Sequence, residues 1–239
     1  MSTTGSTATS ATPAPAAAGS ASTTGTSSDG ATSSYHHGNL RSALLERAEQ
    51  TIEADGVESL SLRQLARDLG VSHGAPGRHF RDKQALLDEL AYDGFLAMNA
   101  QLDAAVATPG AVAERLAAVA RAYVAFAVDH KALLQVMYTT KHAPDASPRL
   151  QQIGHLSLAK TTDLIRAAQE TGEIAPGDPD RLALVAFAAV HGVATLATNQ
   201  LLEEVPVAEA TRATVDLLWA GLTAAPPAPA SAAATPAPR

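Results

Sequence analysis

The chain has 239 residues, no cysteine and a formal net charge of −7. That length can bury a real core in one or two domains, and the missing thiols exclude a disulfide framework or a thiolate metal site and fit a reducing cytoplasm. The acidic balance excludes a surface coated in basic residues for nonspecific nucleic-acid binding, but not a local DNA-binding face.

Residues 1–34 are almost wholly Ser, Thr, Ala, Gly and Pro, with Asp29 the single charged side chain. Such a stretch has too little apolar surface to offset the entropy of ordering it. It also lacks the basic start and Leu-rich run of a signal peptide. Residues 223–239 alternate Ala and Pro and read as an extended, solvated tail. The folded part is therefore expected over residues 35–222.

Gly38 and Asn39 open a first helix in which Leu40, Leu44, Ala48 and Ile52 share a face, and Asp55 and Gly56 end it. Ser61 followed by Gln64 is a capping-box pattern. Leu62, Leu65, Ala66 and Leu69 then give a second helix one apolar face, and Gly70 stops it in the left-handed conformation that glycine tolerates. Val71 plugs the turn and Ser72 can cap a third, short helix. Helix, glycine turn and short helix form a helix-turn-helix, whose second helix fits the DNA major groove. The first helix covers the apolar face this pair cannot bury alone.

Asp82 caps a fourth helix running to about Val106, and Thr108, Pro109 and Gly110 break it. Helical patterns follow over 111–129, 131–139, 149–171, 180–202 and 207–223, separated by Pro- and Gly-containing stretches. The count is about nine helices with no run of alternating strand residues, so the fold is expected to be all-α.

The run from Gly70 to Leu87, containing Ser72-His73-Gly74-Ala75-Pro76-Gly77-Arg78-His79-Phe80 and then Arg81-Asp82-Lys83, resembles the recognition-helix signature of the TetR family of bacterial transcription regulators. The likeness extends upstream through Tyr35-His36-His37-Gly38-Asn39-Leu40-Arg41 and downstream to about Met98. It implies a three-helix head over 35–82 that binds double-stranded operator DNA. A ligand-binding and dimerisation body over 83–222 follows, in a cytoplasmic repressor released by a small-molecule effector. Matched to the family motif, Arg63, His73, Gly74, Ala75 and Arg78 fall where bases are met. Ser61, Ser72, His79 and Lys83 fall where phosphates are held. A two-fold dimer would set its recognition helices about 34–36 Å apart, in successive major grooves.

One departure stands out: Gly77 occupies the place where the family carries a tyrosine that helps hold the DNA backbone. A mid-helix glycine costs about 1 kcal/mol relative to alanine, and Gly74 and Pro76 weaken the same short helix. The expectation is that tertiary packing rescues this helix and that Arg78 takes over part of the backbone contact. The alternative is a helical ligand-binding protein of the same fold with weakened or lost DNA binding.

Residues 182–190 are unbroken apolar sequence, followed by His191 and Gly192. About 20 such residues can cross a bilayer. The run is Ala-rich, however, and holds His191, Thr195 and Thr198, so a helix buried on every side is the simpler reading. By the family resemblance, residues 181–202 and 207–222 form the homodimer interface, with no membrane partner. Phe95, Met98 and Asn99, with Tyr123, Phe126, Met137 and His155, are the candidate lining of an effector pocket, a mostly apolar set with a few polar groups. Of the eight histidines none forms a His-x3-His pair, and no nucleophile elbow, phosphate loop or dinucleotide fingerprint is present. Neither a metal, a cofactor nor an enzyme activity is expected.

Overall fold

Local capping decides where most of the helices start and stop. A computed structural model of the chain describes residues 40–224; the lead-in over 35–39, the tail over 1–34 and residues 225–239 lie outside it. The described residues form α1 (Leu40–Asp55), α2 (Leu62–Asp68), α3 (Lys83–Val106), α4 (Val112–Asp129), α5 (Lys131–Lys141), α6 (Pro148–Glu170), α7 (Pro179–Thr198) and α8 (Val207–Thr223). Two three-residue 3-10 turns, Val57–Ser59 and Pro76–Arg78, complete them, and no strand is present among the described residues. The fold is all-α.

The Ser61 hydroxyl accepts from the Gln64 N–H at 3.2 Å, starting α2 as expected. The reciprocal half of the box is missing, because the Gln64 amide turns to the Asp68 carboxylate. Gly70 has φ +64°. Its N–H donates to the Arg67 carbonyl at 3.1 Å while that of Val71 reaches Ala66 at 3.0 Å, the paired bonds of a Schellman stop. Asp82 caps α3 by accepting from the Ala85 N–H at 2.7 Å. Ser147 and Asp178 cap α6 and α7 in the same way.

The third helix does not form. Between Ser72 and Phe80 the backbone makes bonds from Ala75 to Ser72, Arg78 to Ala75 and His79 to Pro76, all three residues apart. One four-residue bond follows, from the Phe80 N–H to the Pro76 carbonyl at 2.9 Å. Pro76 has no N–H to donate, and Gly74 and Gly77 add the backbone entropy cost of two glycines. Packing therefore fixes the path of this segment without making it an α-helix, contrary to the sequence expectation.

α3, at 24 residues and about 36 Å, joins head and body. One buried cluster runs without a break from Leu44, Leu65 and Phe80 in the head to Phe95, Met98 and Phe126 in the body. α5 lies so close to α3 that a Cβ on Gly94 would stand 2.7 Å from the Met137 sulfur. α4 and α6 flank α3, and α7 and α8 pack on α4, with α7 also against α6.

α7 departs from expectation in two ways. It ends at Thr198 rather than near 202, in a turn that holds Gln200 and Glu203 at positive φ. Nor is it buried on every side within the protomer, since Leu184, Val185 and Leu196 are 55%, 61% and 41% exposed. One face is packed, and the other is apolar and open.

Candidate nucleic-acid interface and effector cavity

The α2–turn–3-10 unit carries a set of exposed polar residues. Pro76 and Phe80 are buried and pin the segment to the head. Ser61, Arg63, Ser72, His73, Gly74, Arg78 and His79 are exposed, and Ala75 is half-buried among them. Eight of the nine expected DNA contacts are thus wholly or partly open to solvent. Among the described residues Arg63 and Arg78 make no ion pair, so their guanidinium groups are free to meet base edges or phosphates. The neighbouring charges are spent on structure: Arg47 reaches Asp68 at 2.9 Å and Arg81 reaches Asp82 at 3.1 Å. The Gln64 amide and then Arg47 hold the Asp68 carboxyl below its usual range.

Lys83 is the ninth, and it behaves differently. Its ammonium donates to the Val57 carbonyl at 2.8 Å and is half-buried. It ties the start of α3 to the head's first turn, leaving only part of its donor capacity for a phosphate.

Three further polar ties connect head to body. Glu53 of α1 accepts from the N–H groups of Ala132 and Leu133 at 3.0 and 3.3 Å, capping α5 from outside. One turn earlier, Glu49 meets His130 Nδ1 at 3.3 Å. Glu89 of α3 joins Arg41 of α1 to Arg149 of α6, and the Arg149 guanidinium lies 3.9 Å from the centre of the Tyr92 ring. Sequence periodicity held no signal for these, because each links residues far apart in the chain.

The body encloses a narrow crevice between α3, α4, α6, α7 and α8, with about 630 Å³ of empty space including its mouth. Leu116, Val119, Phe187, Val190, Leu218 and Trp219 form much of its wall, with Tyr123, Ser157 and Thr161 the polar lining residues. Of the seven side chains expected there, Tyr123 alone lines it. Phe95, Met98, Phe126 and Met137 are at most 1% exposed and belong to the core. Asn99 is a tie between helices, donating to the Ile153 carbonyl at 3.0 Å and accepting from the Ser157 hydroxyl at 3.1 Å. His155 is exposed and does not line the crevice. Helical spacing of aromatics could not separate wall from core. Val215, Leu218, Trp219 and Leu222, at steps of three and four on α8, carried a pocket signal that a dimer-interface reading absorbed.

Behind the crevice sits an aromatic cluster. The Tyr123 hydroxyl lies 2.7 Å from His191 Nδ1 and donates to Tyr138 at 3.3 Å. The His191 ring stacks on Phe187 with centroids 5.3 Å apart. Burial, followed by the neighbouring Tyr138, pushes the Tyr123 phenol up, and burial also raises Tyr138. Burial holds His191 below its ordinary value, which favours the neutral ring.

A small helical head with exposed basic and polar residues thus stands on a helical body that holds an apolar crevice. Residues 44–90 match the family described as bacterial regulatory proteins, tetR family, and residues 116–222 match the tetracyclin repressor-like C-terminal domain. The chain belongs to the TetR family of DNA-binding transcription regulators. A protein of unknown function from Rhodococcus sp. RHA1 shares 52% identity over 80% of this chain and 100% of that one, with a TM-score of 0.76. A tetR-family regulatory protein from Rhodococcus RHA1 shares the fold at 21% identity, covering 77% of this chain and 97% of that one, with a TM-score of 0.64. So does the TetR-family regulator PfmR from Thermus thermophilus, at 19% identity, 75% and 98% coverage and a TM-score of 0.62. No functionally curated protein matches the chain.

Proposed function

We propose that this regulator is a homodimeric repressor, released from its operator when a small molecule enters the crevice. The head over 35–82 meets DNA, and the body over 83–222 binds the effector and the second copy. The observation that supports this reading is the set of exposed polar residues, Arg63, Ser72, His73, Arg78 and His79, on the helix-turn unit that the buried Pro76 and Phe80 pin to the head. Arg63 and Arg78 suit base edges, while the hydroxyls of Ser61 and Ser72 and the ring of His79 suit phosphates. The open apolar face of α7, at Leu184, Val185 and Leu196, suits a second copy of the same helix across a two-fold axis. Effector binding would favour a head spacing that no longer fits successive major grooves. The cytoplasm is the compartment consistent with this role.

Footprinting the gene's own upstream DNA with the full chain tests the reading. Two protected half-sites about 10 bp apart, centre to centre, are expected. A second reading has one observation in its favour: the segment meant for the major groove holds only a three-residue 3-10 turn. In that reading the head has lost tight DNA affinity and the body binds ligand alone. Absence of any footprint at low salt would select it.

A further inference from the structure

We propose that the crevice takes an uncharged, largely apolar molecule bearing a hydrogen-bond acceptor such as a ketone, ester or hydroxyl oxygen, and rejects carboxylates and ammonium ions. Its lining contains no Asp, Glu, Lys, Arg or His. A buried ion there would lose its water with no opposite charge in return. Two of the four polar side chains that line it, Thr161 and Trp219, have a donor to offer. Among the described residues neither the Thr161 hydroxyl nor the Trp219 indole N–H has a side-chain hydrogen-bond partner, while the Ser157 proton is already given to Asn99. The nearest titratable ring, His191, is engaged through Nδ1 with Tyr123, and burial disfavours its protonation. A carboxylate at the Tyr123 end would therefore meet a neutral imidazole rather than a cation.

The site carries its own reporter. Trp219 lines it and is the only tryptophan of the chain, so its emission responds to an occupant directly. The full chain is titrated near neutral pH with four ligands of one chain length: 1-decanol, methyl decanoate, decanoate and decylammonium. Both neutral ligands are expected to change the Trp219 emission and to bind at least about tenfold more tightly than either ion. Decanoate or decylammonium binding as tightly as decanol, or no response to either neutral ligand, would overturn the proposal. Ala120→Phe places a ring in the crevice and is expected to weaken neutral binding about tenfold or more. Thr161→Val keeps the side-chain shape while removing the donor, and is expected to weaken methyl decanoate about threefold or more. Unchanged binding in both variants would place the response elsewhere and sink the assignment.

This deepens the effector reading of the same cavity, and the two fail separately. Ligand-dependent emission with unaltered operator binding would reject effector control while leaving the chemistry of the crevice intact. Operator binding with no emission change would reject the crevice as a ligand site and leave the DNA reading standing.

Discussion

Gly77 stands where the family resemblance implies a tyrosine. A Cβ there would meet nothing within 4 Å, so a methyl group can be added without collision. Gly77→Ala should gain about 1 kcal/mol of helix propensity, visible as added helicity by NMR. Gly77→Tyr should also add a backbone contact, tightening DNA binding roughly three- to twenty-fold with sequence preference little changed. Weaker binding of Gly77→Tyr to both an operator and a scrambled duplex would show that the chain already holds that phosphate another way. Arg78 and Lys83 should separate equally clearly. Arg78→Ala is expected to leave the melting temperature alone and to relax base preference by about 1–3 kcal/mol. Lys83→Ala removes the bond to the Val57 carbonyl, so it should destabilise the head by about 1 kcal/mol. Equal effects of the two variants on melting would contradict this division.

At the scale of elements, α5 is the helix whose start depends on another part of the chain. No side chain of its own N-terminus caps it, and Glu53 of α1 supplies the acceptor. Glu53→Ala should cost about 1 kcal/mol and should loosen the coupling of head to body. An unchanged melting curve would show that the cap contributes nothing. α7 carries a pH dependence through His191. Burial lowers the folded value of this ring below 6.5, so the unfolded chain takes up the proton first as pH falls. Its contribution is complete above the unfolded value and is lost as pH drops toward the folded one. The melting temperature should therefore fall from about pH 7.5 to about pH 5.5, and His191→Asn should flatten part of that slope. A slope identical in the two proteins would remove His191 from the account.

These elements also show what was legible in advance. Ser61, Gly70 and Asp82 marked true helix ends, because caps are local chemistry written in neighbouring residues. The missing third helix was not foreseen, although Gly74, Pro76 and Gly77 carried the warning, because packing was expected to outweigh propensity. The crevice was misplaced for a different reason. Phe95 and Met98 repeat at the same three-residue spacing as Trp219 and Leu222, and tertiary packing decides which of them face empty space. The exposed polar residues of the head are neighbours in sequence and so could be listed together, whereas Glu53 and Ala132 are far apart in the chain.

For the molecule as a whole, the unpaired apolar face of α7 should be covered by a second copy. Val185→Arg, at a position 61% exposed in the protomer, should give a monomer by sedimentation and weaken operator binding about tenfold or more, since two half-sites would no longer be held together. A dimer that survives both this change and Leu217→Arg, at 76% exposure, would place the interface elsewhere. The head is proposed to read DNA sequence although its groove segment is a 3-10 turn rather than a helix. The most direct measurement is the affinity of the full chain for a duplex of its own upstream DNA and for a scrambled duplex, each across a range of salt. The account predicts specific binding about 10³-fold tighter or more, with both affinities falling as salt rises. Equal affinity for the two duplexes at every salt concentration would contradict it.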